Sequence, residues 1–167
     1  MIVELIQTLY RYSQWANQRI LDTAAKATAE QFLAEVGVSY GSLRDTLVHV
    51  MSSQWLWLNR WTGTSPRSRL EASEYPDLAA IRTRWMDIEA DTQLFLSELS
   101  PARLGGITNY LTIEGEPRAY PLWQLMLQQV NHATQHRSEA AVMLTQFGHS
   151  PGDLDLIIYL HRQGKGS

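Results

Sequence analysis

The stretch NHATQHRSEAAVMLTQFGHSPGDLD, residues 131–155, places His132 and His136 four residues apart. On an α-helix that spacing turns both imidazoles to the same side, one turn above the other, so the pair can share a single ion. Two ordinary core or edge histidines would give the same pattern, and a third donor is needed to separate the readings. His49 supplies one: it sits in DTLVHVMSS with apolar neighbours on both sides, a setting that tolerates a neutral histidine but rarely holds one. Three neutral nitrogen donors from two helices form a facial set that leaves positions open for water or substrate, as catalytic metal sites require. Structural zinc sites normally close with four ligands, and no obvious fourth is present. His149 lies between Gly148 and Pro151, past the end of the expected helix, and His161 is close to the C-terminus. Both are placed outside the site.

Several other chemistries are excluded. HATQH carries Ala133 where the zinc peptidase motif H-E-x-x-H has its general base. Glu-x-x-His occurs nowhere, which argues against a ferritin-like di-iron centre and for one ion. With no cysteine in the chain, disulfides, thiolate ligands and cysteine nucleophiles are ruled out.

The histidines need helices to hold them. Ile2, Leu5, Leu9, Tyr12, Ala16, Ile20 and Ala24 recur at helical spacing and predict a first long helix with that stripe facing a core. Thr28 and Gln31 form a capping box that predicts a short helical turn in TAEQFLAE, before the loop VGVSYGS. A second long helix starts near Ser42, with Asp45 in its first turn, and runs through His49 to Gly63. TGTSPRSRLEASEYP reads as loop, and Pro76 with Asp77 marks the next start. Leu78, Ile81, Trp85, Ile88, Thr92, Phe95 and Leu99 then trace a narrow bundle seam along a third helix, which Pro101 ends. ITNYLTI, EGEP and RAYP predict a strand, a turn and a second extended piece. Pro121 suits the first turn of a fourth helix that continues to Gly148, with Leu125, Gln129, Ala140 and Met143 extending the histidine stripe inward. DLDLIIYL predicts a short final helix on the outside. The expected fold is therefore all-α: a four-helix bundle over residues 1–167 as one domain, with a short β-hairpin-like insertion before the fourth helix. Bundles build their metal and cofactor sites from facing helices.

Composition agrees with that size and class. A chain of 167 residues with 44% hydrophobic content can bury its own core. Fourteen basic and seventeen acidic residues give a net charge of -3, with no basic cluster suited to a phosphate backbone, so nucleic acid is not an expected partner. No apolar run approaches a membrane span, and MIVELIQTLYRYSQWANQRIL is amphipathic rather than signal-like. Together with the missing cysteines, this sets a cytoplasmic location as the expectation.

LRDTLVHVMSSQWLWLNRW, followed downstream by VNHATQHRSEAAVMLTQFGHSPGDLD and preceded by YRYSQWANQRIL, resembles the DinB/YfiT-like superfamily of metal-binding helical bundles over nearly the whole chain. The distinguishing combination is one histidine on the second long helix, H-x-x-x-H-R on the fourth, then Gly, Pro and Asp. By this resemblance His49, His132 and His136 match the metal triad and Arg137 matches the arginine after the last ligand, with a structural or a pocket-lining role equally open. Ser138 and Glu139 depart from the Gly and Gln common in the family. The resemblance implies a divalent metal, zinc or nickel, and often a homodimer. It also implies a small-molecule substrate, with some relatives acting as S-transferases for low-molecular-weight thiols and others as hydrolases. A non-catalytic metal-binding or dimerising bundle is the alternative. Metal-bound imidazoles usually give their second N–H to an acceptor, which makes Asp45, one turn before His49, and Glu139, one turn after His136, candidate partners. Capping or solvated carboxylates are the competing reading. Tyr12, Trp15, Trp55 and Trp57 are candidates for a pocket wall or, more simply, for core or a dimer contact. Because the reference histidine pKa is about 6.5, metal affinity is expected to fall steeply in mild acid, with the apo fold little affected.

Overall fold

Side-chain caps fix where most helices begin. Ser42, Asp77 and Ser100 each accept the backbone N–H three residues on, and Thr28 forms the full capping box with Gln31. The computed structural model describes residues 1–37 and 39–164. Its four long helices are α1 (Ile2–Ala24), α3 (Leu43–Trp61), α4 (Leu78–Ser97) and α6 (Leu122–Gln146). The short helices are α2 (Ala29–Leu33), α5 (Pro101–Gly105) and α7 (Leu156–Gly164). Strands β1 (Ile107–Leu111) and β2 (Pro117–Pro121) pair antiparallel, with Ile107 opposite Pro121 and Leu111 opposite Pro117. The fold is thus mostly helical, with the hairpin directly before the long α6 and a short helix at the C-terminal end. No helix among the described residues is long and apolar enough to cross a membrane.

The order of the core gives the topology. One apolar cluster joins Ile20 and Ala24 of α1, Leu43 to Met51 of α3, Ile81 to Ile88 of α4, and Ala133 to Leu144 of α6. A second joins Ile6 and Tyr10, Leu58 and Trp61, Phe95 and Leu96, and Leu122 to Val130. So α1 and α6 run one way, and α3 and α4 the other. Parallel α3 and α4 require the chain from 62 to 77 to return along the whole bundle, a crossover of the kind some bundles use. Between the two clusters lies a buried polar belt of Ser13, Asn17, Gln54, Thr92, Gln129 and Arg137.

Several expectations are corrected at this level. On α1, Ile2 and Leu5 are exposed. The inward seam is Ile6, Tyr10, Ser13, Asn17, Ile20 and Ala24, spaced 4-3-4-3-4, and two of its members are polar because they belong to the belt. A rule that follows only apolar residues loses such a seam. Pro101 does not end a helix: α4 ends at Ser97, and Pro101 opens α5, whose first position has no use for an N–H. Pro121 closes β2 and stands just outside α6. The long loop contains a 3₁₀ turn at Ala72–Glu74. At the end of α6, Gly148 takes φ 84°, and His149 N–H bonds the Leu144 carbonyl at 2.8 Å, a left-handed cap that glycine allows. α7 starts at Leu156 and rests Tyr159 on Tyr12 and Trp15 of α1.

Candidate metal centre

α3 and α6 run antiparallel in contact, and the three histidines meet on their shared outer seam. One nitrogen from each of His49, His132 and His136 lies within 4.8 Å of the others. His49 and His136 are buried, and His132 is half-buried. His49 Nε2 and His132 Nε2 face each other at 2.9 Å, so one ring carries the N–H and the other accepts. Burial is the largest cause lowering both pKa values, and neighbouring imidazoles add to it; His49 is pushed down to about 3 and His132 to about 4. Both rings are therefore neutral at pH 7, the state in which imidazole binds metal. The donor set fits a divalent ion: three imidazole nitrogens converge from two long helices, and His49 and His132 are unprotonated.

Glu139 holds the third ring. Its Oε2 lies 2.7 Å from His136 Nδ1, which leaves His136 Nε2 as the free nitrogen. Ser39 Oγ donates to the same carboxylate oxygen. Burial acts to raise the Glu139 pKa, but the bonds from Ser39 and His136 outweigh it and the net shift is downward. Asp45, the other candidate partner, is corrected: its carboxylate pairs with Arg44 Nε at 2.8 Å, and no bond to a histidine exists among the described residues. The reason is directional. Helix side chains lean toward the N-terminus, so a carboxylate one turn after a histidine leans onto it and one a turn before leans away.

Arg137 faces the opposite way from its neighbour His136. Fully buried, its guanidinium donates to Ser13 Oγ at 2.7 Å, Asn17 Oδ1 at 3.1 Å and Thr134 Oγ1 at 3.0 Å, and it lies over the Tyr12 ring. It ties α6 to α1 and does not border the histidines. Of the aromatic candidates, Tyr12 and Trp15 pack with α7, and Trp55 lines a groove between α3 and α4. Trp57 meets Tyr110 of the hairpin. The aromatic that reaches the centre is Tyr40, stacked on His49 at 3.7 Å between centroids and edge-on to His136 at 5.4 Å. Tyr40 and Ser39 sit in the loop before α3, where no periodicity marks a residue. The one signal was position: a loop leading into the helix that carries His49. His149 serves the α6 cap, and His161 is exposed on α7.

Fold and site together define a helical bundle with a three-histidine face able to hold a metal ion. A sequence profile described as the DinB family matches residues 1–166, and the chain belongs to that family. Protein DinB of Bacillus subtilis (strain 168) is 24% identical over 162 residues, covering 91% of this chain and 91% of that protein.

Proposed function

We propose that His49, His132 and His136 bind one divalent metal, zinc or nickel, and that the chain is a metal-dependent enzyme acting on a small molecule with a low-molecular-weight thiol. The observation that carries this reading is the convergence of three imidazole nitrogens within 4.8 Å, with one ring fixed from behind by Glu139. A divalent ion there supplies a Lewis acid that lowers the pKa of a coordinated water or thiol. The protein's own part is to present neutral nitrogens, hold the His136 tautomer through Glu139, and cover the His49 ring with Tyr40. Thiol transfer leads because of the family resemblance, and hydrolysis would use the same centre. Assembly as a homodimer and residence in a reducing, cytoplasmic compartment belong to the same reading, supported by the resemblance and the cysteine-free chain.

The test begins with metal content of purified His49→Ala, His132→Ala, His136→Ala and His149→Ala proteins. The first three should lose most of their metal while the fourth keeps it. Full retention by His136→Ala would sink the assignment. Metal-loaded wild type is then assayed for conjugation of an electrophile to glutathione, bacillithiol or mycothiol. Ester or amide cleavage without conjugation would select the hydrolase, and neither activity would select a binding protein.

A further inference from the structure

Ser39 and Tyr40 are neighbours in the chain, and each supports a different histidine. Ser39 Oγ donates to Glu139 Oε2, the carboxylate oxygen that lies 2.7 Å from His136 Nδ1. Tyr40 lies flat on the His49 ring, 3.7 Å between centroids and 19° from parallel, and meets His136 edge-on at 5.4 Å. The loop that carries them is pinned at its base, where Val36 N–H bonds the Gly41 carbonyl at 2.8 Å. Two ligands on two different helices are thus supported from outside by adjacent residues of one short loop.

The two supports differ in kind. His136 has a carboxylate behind its Nδ1, whereas His49 Nδ1 has no hydrogen-bond partner among the described residues. The bond that places His49 is the 2.9 Å contact between its Nε2 and that of His132, which share one proton. A metal ion needs the lone pairs of both nitrogens, so this bond is given up when an ion is held. The Cβ–Cγ torsion of a histidine is broad, and an imidazole without an outer partner swings easily about it. An aromatic ring lying on its face removes that freedom, and the stack does not depend on the shared proton. Tyr40 is 47% exposed, so core packing does not account for its placement.

We propose that Tyr40 is a positioning residue of the metal centre: its ring does for His49 what Glu139 does for His136, fixing the imidazole plane so that Nε2 stays aimed at the common point of the triad. The proposal rests on the reading of the triad as a metal site. Gly41 sets the Tyr40 ring in place from the backbone. Its φ of 97° is one that a residue with a Cβ adopts only with strain, although the exposed Glu35 carboxylate beside it can swing aside. Alanine at this position therefore shifts Ser39 and Tyr40 together without touching a ligand.

The experiment compares full-length wild type, Tyr40→Phe, Tyr40→Leu and Gly41→Ala by zinc competition against a chelator and by NMR of the imidazole protons. Immobilising one side chain costs enough that Tyr40→Leu should bind zinc about 2–10-fold more weakly than wild type, Gly41→Ala at least as weakly, and Tyr40→Phe within about twofold of wild type. In the metal-free protein the His49 ring protons should lie upfield under the Tyr40 ring current, stay there in Tyr40→Phe and move downfield in Tyr40→Leu. The His136 ring, which Glu139 holds, should keep its line width in Tyr40→Leu while that of His49 changes. Unchanged zinc affinity in Tyr40→Leu, or His49 protons that do not move, would overturn the proposal and leave the triad standing as the metal site. Equal losses in Tyr40→Phe and Tyr40→Leu would mean that the hydroxyl acts, and would overturn the stack. Broadening of all three histidines alike would mark a loosened fold instead of a positioning role, and full affinity in Gly41→Ala would remove the loop's part. A wild type whose His49 protons lie upfield but which binds no zinc removes the metal reading, and this role with it.

Discussion

Glu139 bonds His136 at 2.7 Å from one turn downstream and is itself steadied by Ser39, so it orients the ring before any ion arrives. Outer partners of this kind are worth about 10–100-fold in metal affinity, and Glu139→Ala should weaken zinc binding by that factor in a chelator competition while Asp45→Ala leaves it unchanged. Acid behaviour follows from burial of the rings. The unfolded chain protonates His49 and His132 near pH 6.5, whereas the folded values are about 3 and about 4. Above pH 6.5 neither state takes the proton and the stability is fully present. As the pH falls from there toward 4 and then 3, the unfolded chain gains protons that the folded protein refuses, and stability is lost. Thermal midpoints of the apo protein should therefore drop across this window. Zinc titrations should still show binding at pH 5.5, because His49 and His132 of the folded protein are not yet protonated. Both outcomes depart from what a reference histidine pKa implies, and an apo midpoint unchanged between pH 7 and 4 would contradict the burial argument. The three histidines were legible from spacing and setting alone, since helical period turns sequence separation into direction. Tyr40 and Ser39 were not, because a loop residue's destination depends on the fold that carries it.

The parallel pair α3 and α4 is held in register by Gln54, whose side chain accepts from Trp85 Nε1 at 2.9 Å and donates to Thr92 Oγ1 at 3.2 Å. Replacing Gln54 by Leu strands the buried Trp85 N–H, and urea unfolding should show a loss of about 1–3 kcal/mol. Element by element, α3, α4 and α6 were readable from their seams, caps and flanking prolines, and the hairpin from its turn residues. The seam of α1 is hidden from an apolar pattern where polar Ser13 and Asn17 take inward positions, and α5 shows no period because it has only five residues. The direction of α4 relative to α3 was not legible either, since a seam records which side is buried and not which way the helix runs.

For the whole molecule, an ion that binds only the folded triad should stabilise by mass action. At a free zinc concentration about a thousand times the dissociation constant the gain is about 4 kcal/mol, or a midpoint raised by roughly 8–16 °C for a chain of this size. Calorimetry with and without zinc at neutral pH checks this, and equal midpoints under saturating metal would remove the native triad as the binding site. The six letters HATQHR serve two masters. Positions 132 and 136 face the histidine seam, while 133 and 137 face the core, where Arg137 is anchored to Ser13 and Asn17 more than a hundred residues earlier in the chain. The centre is consequently not portable. Copying His132 and His136 onto another helix would carry the ligands without the anchorage that keeps α6 from rolling, and a designer wishing to transplant it would have to bring a second helix as well.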